Sequence, residues 1–201
     1  MVILKICDTS SLVIDALCDW AQGENAAVAC FYFDYAVQKD QSPTAVLSCL
    51  LKQAVSGLEK IPAKIVQAFR DENKITGGRR PELNQVVEML QDISSSRPTF
   101  ICIDALDECM DEYRENLLKS LKHILHKSLS IRIFMAGRLH VRGEVEEHLC
   151  RKTVAVSITT TRKDIIRFLR AKLNQDIAPD AMDKSLEEDI MKTIAETVSE
   201  M

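Results

Sequence analysis

A chain of 201 residues, 46% of them hydrophobic, can bury one core of ordinary domain size and is not a disordered tail. Its charged residues, 28% of the total, leave a formal net charge of -4. No global basic field draws nucleic acid or an anionic membrane, and neither partner is expected. No apolar run approaches the roughly 18 residues that span a bilayer, and MVILKIC is too short for a signal peptide's core, so a soluble cytoplasmic protein is expected.

The opening run VILKI reads as a strand, with Ser10 or Ser11 capping a helix through Trp20. AAVACFYF (26–33) reads as a buried strand, and the polar stretch YAVQKDQS as a loop. Pro43, after Ser42, suits the first turn of a helix whose apolar face is Val46, Leu47, Leu50, Leu51, Ala54 and Val55. A short helix is expected from Pro62 to Arg70, then a loop at DENKITGGRR (71–80), where Gly77 and Gly78 lie among polar residues.

Leu83, Val86, Val87, Leu90 and Ile93 mark another helix, broken by SSSRP before the strand TFICI. Leu117, Leu118, Leu121, Ile124 and Leu125 keep helical spacing, IRIFMA (131–136) is the next strand, and a turn with Gly137 ends it. VRGEVEEHL reads as a short helix, TVAVSI as a strand, and Thr161–Leu173 as a threonine-capped helix with Asp164 three residues on, a position read as structural. Leu186, Ile190, Met191, Ile194 and Val198 give a last amphipathic helix. Nearly all-apolar strands alternating with helices predict an α/β fold with a parallel sheet covered on both faces. The expected division is a core over 1–174 and a helical region over 175–201.

The seven cysteines (7, 18, 30, 49, 102, 109 and 150) include no C-x-x-C pair, and several lie within apolar runs. Structural zinc needs closely spaced pairs, so buried reduced thiols are expected. His123 and His126 have no acidic or cysteine partner in pattern and read as surface residues.

The chemistry gathers at FICIDALDEC (100–109), where an apolar run ends in Asp104, Asp107 and Glu108. Ligands of parallel α/β sheets bind beyond the carboxyl ends of strands. There Asp104 is placed to hold magnesium through oxygen. Asp107 or Glu108 could orient or deprotonate a water for phosphoryl transfer, although an acid opening a helix also stabilises its dipole. Arg138, after the next strand, could touch a terminal phosphate, or pair with the acids and involve no nucleotide.

FICIDALDEC resembles the Walker B segment of NACHT-type signal-transduction NTPases, particularly their fungal and nephrocystin-like branch. The likeness extends through ACFYFDYAVQKDQSPTAVLSCLLKQ, IRIFMAGRLHVRGEVEEHL and VAVSITTTRKDIIRFLRAKL, so it covers roughly residues 10–201. It implies a P-loop NTPase-like fold, with magnesium and ATP or GTP as cofactors. By the same likeness Asp104 is the magnesium-associated acid, Asp107 and Glu108 the pair supporting hydrolysis, and Arg138 the sensor arginine.

That family also carries G-x-x-x-x-G-K-[ST], whose backbone amides wrap the phosphates. None of the six glycines here precedes a lysine, and MVILKICDTS stands where the loop belongs. Cys7 to Thr9 suffice for a plain strand-to-helix turn but not for a loop encircling phosphate. Feeble or absent nucleotide binding is expected, from either a fragment of a longer receptor-like protein or a short protein that kept the fold. Two functions compete: a nucleotide-dependent switch with degenerate site, and a non-catalytic module that pairs with related full-length NTPases. A magnesium-dependent phosphatase with Asp104 as nucleophile is disfavoured, because Leu106 stands where its second aspartate belongs.

Overall fold

The computed structural model describes residues 2–6, 10–72, 81–149, 153–157, 162–173 and 184–199. Cys7, Cys150, Thr161 and the expected loop residues from 73 to 80 lie outside them. The chain divides into two compact units, residues 1–157 and 158–201. The first holds β1 (Val2–Ile6), β2 (Ala27–Tyr32), β3 (Thr99–Asp104), β4 (Ile131–Ala136) and β5 (Thr153–Ser157), paired in parallel in the order β2-β3-β4-β1-β5.

Between and after these strands run α1 (Ser10–Gln22), α2 (Pro43–Ser56), α3 (Ala63–Glu72), α4 (Leu83–Ser96), α5 (Asp111–Lys127) and α6 (Arg142–Leu149). Alternate residues of a strand face opposite sides of its sheet, and the core obeys this. Ile101, Ile103, Ile131, Ile133 and Met135 join a large cluster with α2, α4, α5 and α6. Cys102, Phe134 and Ala136 instead meet Val13, Ile14 and Leu17 of α1. Trp20 of α1 also packs edge-on against Phe100, with ring centroids 5.3 Å apart. The expected α/β sheet with helices on both faces is therefore found. Full burial of Leu47, Leu50, Leu51, Leu118 and Leu121 stabilises it by about 1.5–3 kcal/mol per side chain.

The second unit consists of α7 (Arg162–Leu173) packed against α8 (Lys184–Ser199). The helix expected to end the core thus groups with the following one.

Two local expectations need correction. The polar stretch YAVQKD is not a plain loop: Tyr35–Asp40 form 3-10 turns kinked at Val37, and Asp34 Oδ1 starts the first by accepting from the Ala36 amide at 2.8 Å. The serines before Pro98 do not break α4. The hydroxyls of Ser94 and Ser95 return to the Gln91 carbonyl, and that of Ser96 returns to Ile93, so each is satisfied within the helix. The helix ends only at Arg97, whose extended φ of -154° suits a residue before proline. Pro43 opens α2 as expected, and Ser42 caps it, accepting from the Ala45 amide at 3.3 Å.

Strand β2 is an edge of the sheet, and an exposed edge invites pairing with another chain. Gln53 of α2 blocks it like a short piece of strand. Its Oε1 accepts from the Cys30 amide at 2.9 Å, and its Nε2 donates to the Cys30 carbonyl at 2.8 Å. At the opposite end of the strands the buried Arg97 donates to the Ala54 carbonyl near the negative end of α2, while its Nε has no partner. Replacing Gln53 with Ala is expected to cost about 1–2 kcal/mol in urea unfolding. It should also raise self-association in light scattering, since the edge is then open.

The expectation of buried thiols holds for Cys102 and Cys109, whereas Cys18 is exposed and Cys30 and Cys49 are half-buried. Burial pushes the Cys102 thiol up to about 12 and the Cys109 thiol up to about 11 from 9.0. Groups whose pKa is raised by folding stabilise the fold fully below their unfolded value, and that contribution is lost as pH climbs through the folded one. Stability should therefore fall as pH rises from 9.0 through 11 towards 12, read by denaturant midpoints. In the native protein iodoacetamide should label Cys18 well before Cys102 or Cys109.

Candidate nucleotide-edge site

The connection leaving β1 crosses to the far edge at β2, whereas the one leaving β4 crosses the other way to β5. Neighbouring strands whose connections run in opposite directions leave a crevice at their carboxyl ends, the usual place for a ligand. The described wall of this crevice is built by the tips of β2, β3 and β4, where all four candidate residues lie.

Asp104 closes β3 in register with Tyr32 of β2, and its Oδ1 accepts from the Ala105 amide at 2.9 Å. Burial first, and then the charges of Cys30 and Asp104, hold the Tyr32 phenol above its ordinary range. Ala105 has φ 51° and ψ 43°, a left-handed conformation that costs an L-residue about 1–2 kcal/mol. This sharp bend starts the 3-10 turn Leu106–Glu108 and sends Leu106 into the core with no exposed surface.

The two acids that follow reach different neighbours. The Asp107 side chain is 9% exposed; its Oδ1 accepts from the Arg138 amide at 3.1 Å, and its Oδ2 lies 3.3 Å from Arg138 Nε. Arg138 itself is 80% exposed. Glu108 turns to the other side, where its Oε2 accepts from the Tyr35 amide at 2.9 Å and its carbonyl accepts from Gln38 Nε2 at 2.8 Å. Arg138 and Asp107 thus form the ion pair left open by the sequence, while Glu108 joins them only through the shared turn.

A buried arginine supports this turn from behind. Arg114 of α5, 4% exposed, grips Glu144 of α6 with Nε to Oε2 and Nη2 to Oε1, both at 2.8 Å. Its Nη2 also donates to Asp111 at 2.8 Å and its Nη1 to the Cys109 carbonyl at 2.9 Å. The hydrogen bond to Glu144 is the chief reason its pKa is raised. Helical spacing placed Arg114 on α5 without marking it, because its partner stands 30 residues away. His123 and His126 are exposed, as expected.

Magnesium needs several oxygen ligands in near-octahedral array. Among the described residues no three His, Cys, Asp or Glu side chains converge to hold a metal ion. The carboxylates of Asp107 and Glu108 already accept backbone amides. As folded, both are committed to the protein's own loops, and a magnesium ion at this end of the strands would take most of its ligands from water and phosphate oxygens.

The family described as "Nephrocystin 3, N-terminal" matches residues 9–138, which bears out the nephrocystin-like resemblance. No curated protein matches the chain. Among solved structures, Cdc6p from Pyrobaculum aerophilum aligns with TM-score 0.54 at 10% identity, over 86% of this chain and 44% of its own. The Aeropyrum pernix Orc1 protein in complex with DNA aligns with TM-score 0.50 at 13% identity, over 87% and 43%. A Walker-type ATPase of Pyrococcus abyssi aligns over 94% and 57% at 13% identity, with TM-score 0.48. The chain spans at most 57% of these proteins. The likenesses to Cdc6p and Orc1 establish the P-loop NTPase-like fold. A DNA complex among them leaves the exclusion of nucleic acid, drawn from net charge, without support. No described helix is long and apolar enough to cross a membrane.

Gly137 lets the tip of β4 reach the acidic turn. A Cβ there would lie 3.2 Å from Val141 Cγ2, 3.3 Å from Asp107 Oδ1 and 3.4 Å from the Asp107 amide nitrogen. Gly137→Ala should therefore destabilise the fold by about 1–3 kcal/mol in urea unfolding, the range for overpacking a filled site.

Proposed function

The chain belongs to the nephrocystin-3 N-terminal family, and on that premise we propose that it is a NACHT-like signalling module of the cytoplasm with a degenerate nucleotide site. The observation that carries this reading is the engagement of Asp107 and Glu108 by amides of the protein's own strand-tip loops. Residues 1–201 also contain no glycine followed by lysine, so within them no phosphate-wrapping loop complements the acids.

The proposal assigns roles residue by residue. Asp104 is the metal-associated acid and Arg138 the group that meets a terminal phosphate. Asp107 and Glu108 are the pair that would support hydrolysis in a nucleotide-loaded form. By the family likeness the functional core runs over 1–174 and a helical region begins at 175, although the helix Arg162–Leu173 packs with that region in the fold. The partners are proteins, including related NTPases with complete nucleotide sites.

The clasped acids also favour a second reading, a non-catalytic scaffold that needs no nucleotide. Titration of the chain with ATP or GTP and magnesium, followed by calorimetry, tests the degenerate site, and partner capture by Asp104→Ala separates the two readings. The degenerate-site proposal expects no saturation with millimolar nucleotide; tight, saturable binding lost in Asp104→Ala would overturn it. For a scaffold, Asp104→Ala should retain the partners captured by the unaltered chain.

A further inference from the structure

The 3-10 turn Leu106–Glu108 carries on adjacent residues the ties to two loops that have no other described hydrogen bond between them. One loop follows β2 and the other follows β4. Glu108 holds the first through the Tyr35 amide at 2.9 Å and Gln38 Nε2 at 2.8 Å. Asp107 holds the second through the Arg138 amide at 3.1 Å and its Nε at 3.3 Å.

The turn is too short for its ends to move separately. The Glu108 amide donates to the Ala105 carbonyl at 2.8 Å, the Cys109 amide donates to the Leu106 carbonyl at 3.2 Å, and Leu106 is fully buried. Its entry residue, Ala105, sits in the left-handed region, which a non-glycine residue keeps only when its surroundings impose it. Cutting either tie removes part of that imposition, and relaxation of Ala105 would turn both acids together.

The two loops also carry what the site presents to its surroundings. The 3-10 helix Tyr35–Asp40 buries none of its residues, and Tyr35 and Val37 are 73% and 45% exposed. The other loop carries the exposed guanidinium of Arg138. We infer that the turn Leu106–Glu108 is a mechanical coupling, through which loosening or tightening of the Tyr35–Asp40 loop changes how Arg138 is held, and the reverse. Its meaning as regulation rests on the proposed nucleotide-edge reading, whereas the coupling itself is a property of the ligand-free chain.

Amide hydrogen exchange on the full 201-residue chain tests it without nucleotide. Tyr35→Pro deletes the donor to Glu108 where proline is tolerated, since it opens a helical turn and Asp34 before it is extended, with φ -135° and ψ 119°. Tyr35→Ala keeps the donor. Loss of a hydrogen bond to a charged group predicts about tenfold faster exchange. In Tyr35→Pro and Glu108→Ala that acceleration should reach residues 137–141 as well as 35–41, and in Asp107→Ala, which leaves no acceptor for the Arg138 amide, it should reach 35–41 as well as 137–141. Tyr35→Ala should change neither segment.

Acceleration confined to the loop whose own tie is cut overturns the coupling. If these variants unfold, Gln38→Ala, which removes one milder tie, decides by the same criterion. A nucleotide titration that contradicts the functional proposal leaves this result untouched, and the converse also holds.

Discussion

The carboxyl end of this sheet is organised by two charge-assisted hydrogen bonds that share a three-residue turn. Glu108 takes the Tyr35 amide, and Asp107 takes the Arg138 amide and guanidinium. Backbone amides at strand tips lack the ladder partners they have within a sheet, and a carboxylate satisfies them more strongly than a neutral acceptor does. The tips of β2, β3 and β4 are thereby bound into one wall. The same acids that resemble catalytic groups are, in this arrangement, the ones that hold the wall together.

Two supports make the wall rigid. Leu106 plugs the turn into the core, and Arg114 ties the start of α5 to α6 directly behind it. A buried guanidinium is costly unless its donors are met, and Nε, Nη1 and Nη2 of Arg114 each have an acceptor. Arg97 contrasts with it, since its Nε is unmet and burial lowers its pKa. The strongest polar network thus backs the acidic turn, while the incomplete one lies at the far end of the strands, capping α2.

Much of the architecture was legible from periodicity. Six of the residues that form the apolar face of α2 were readable from spacing alone, and all six are buried. The serines before Pro98 misled for a local reason: propensity counts serine as a helix breaker, but a hydroxyl that bonds back to the preceding turn removes the objection. The position of Asp104 at a strand tip was equally legible, because an acid following four apolar residues marks where a strand leaves the core. What its neighbours do was not. Asp107 and Glu108 differ by one position in sequence yet serve loops 31 and 73 residues away, and no short-range pattern encodes such distances.

The sequence by itself determined the alternation of apolar strands and amphipathic helices, and with it a parallel sheet whose acids stand at the carboxyl end of a strand. That follows from local periods of two and 3.6 residues, which burial imposes on every segment independently. Only the tertiary structure decided that Gln53 closes the edge of β2, that Gly137 passes the acidic turn, and that Ala105 is left-handed. Each of these depends on the strand order β2-β3-β4-β1-β5, which brings distant loops to adjacent tips and lets one carboxylate choose between solvent, ligand and a neighbouring amide.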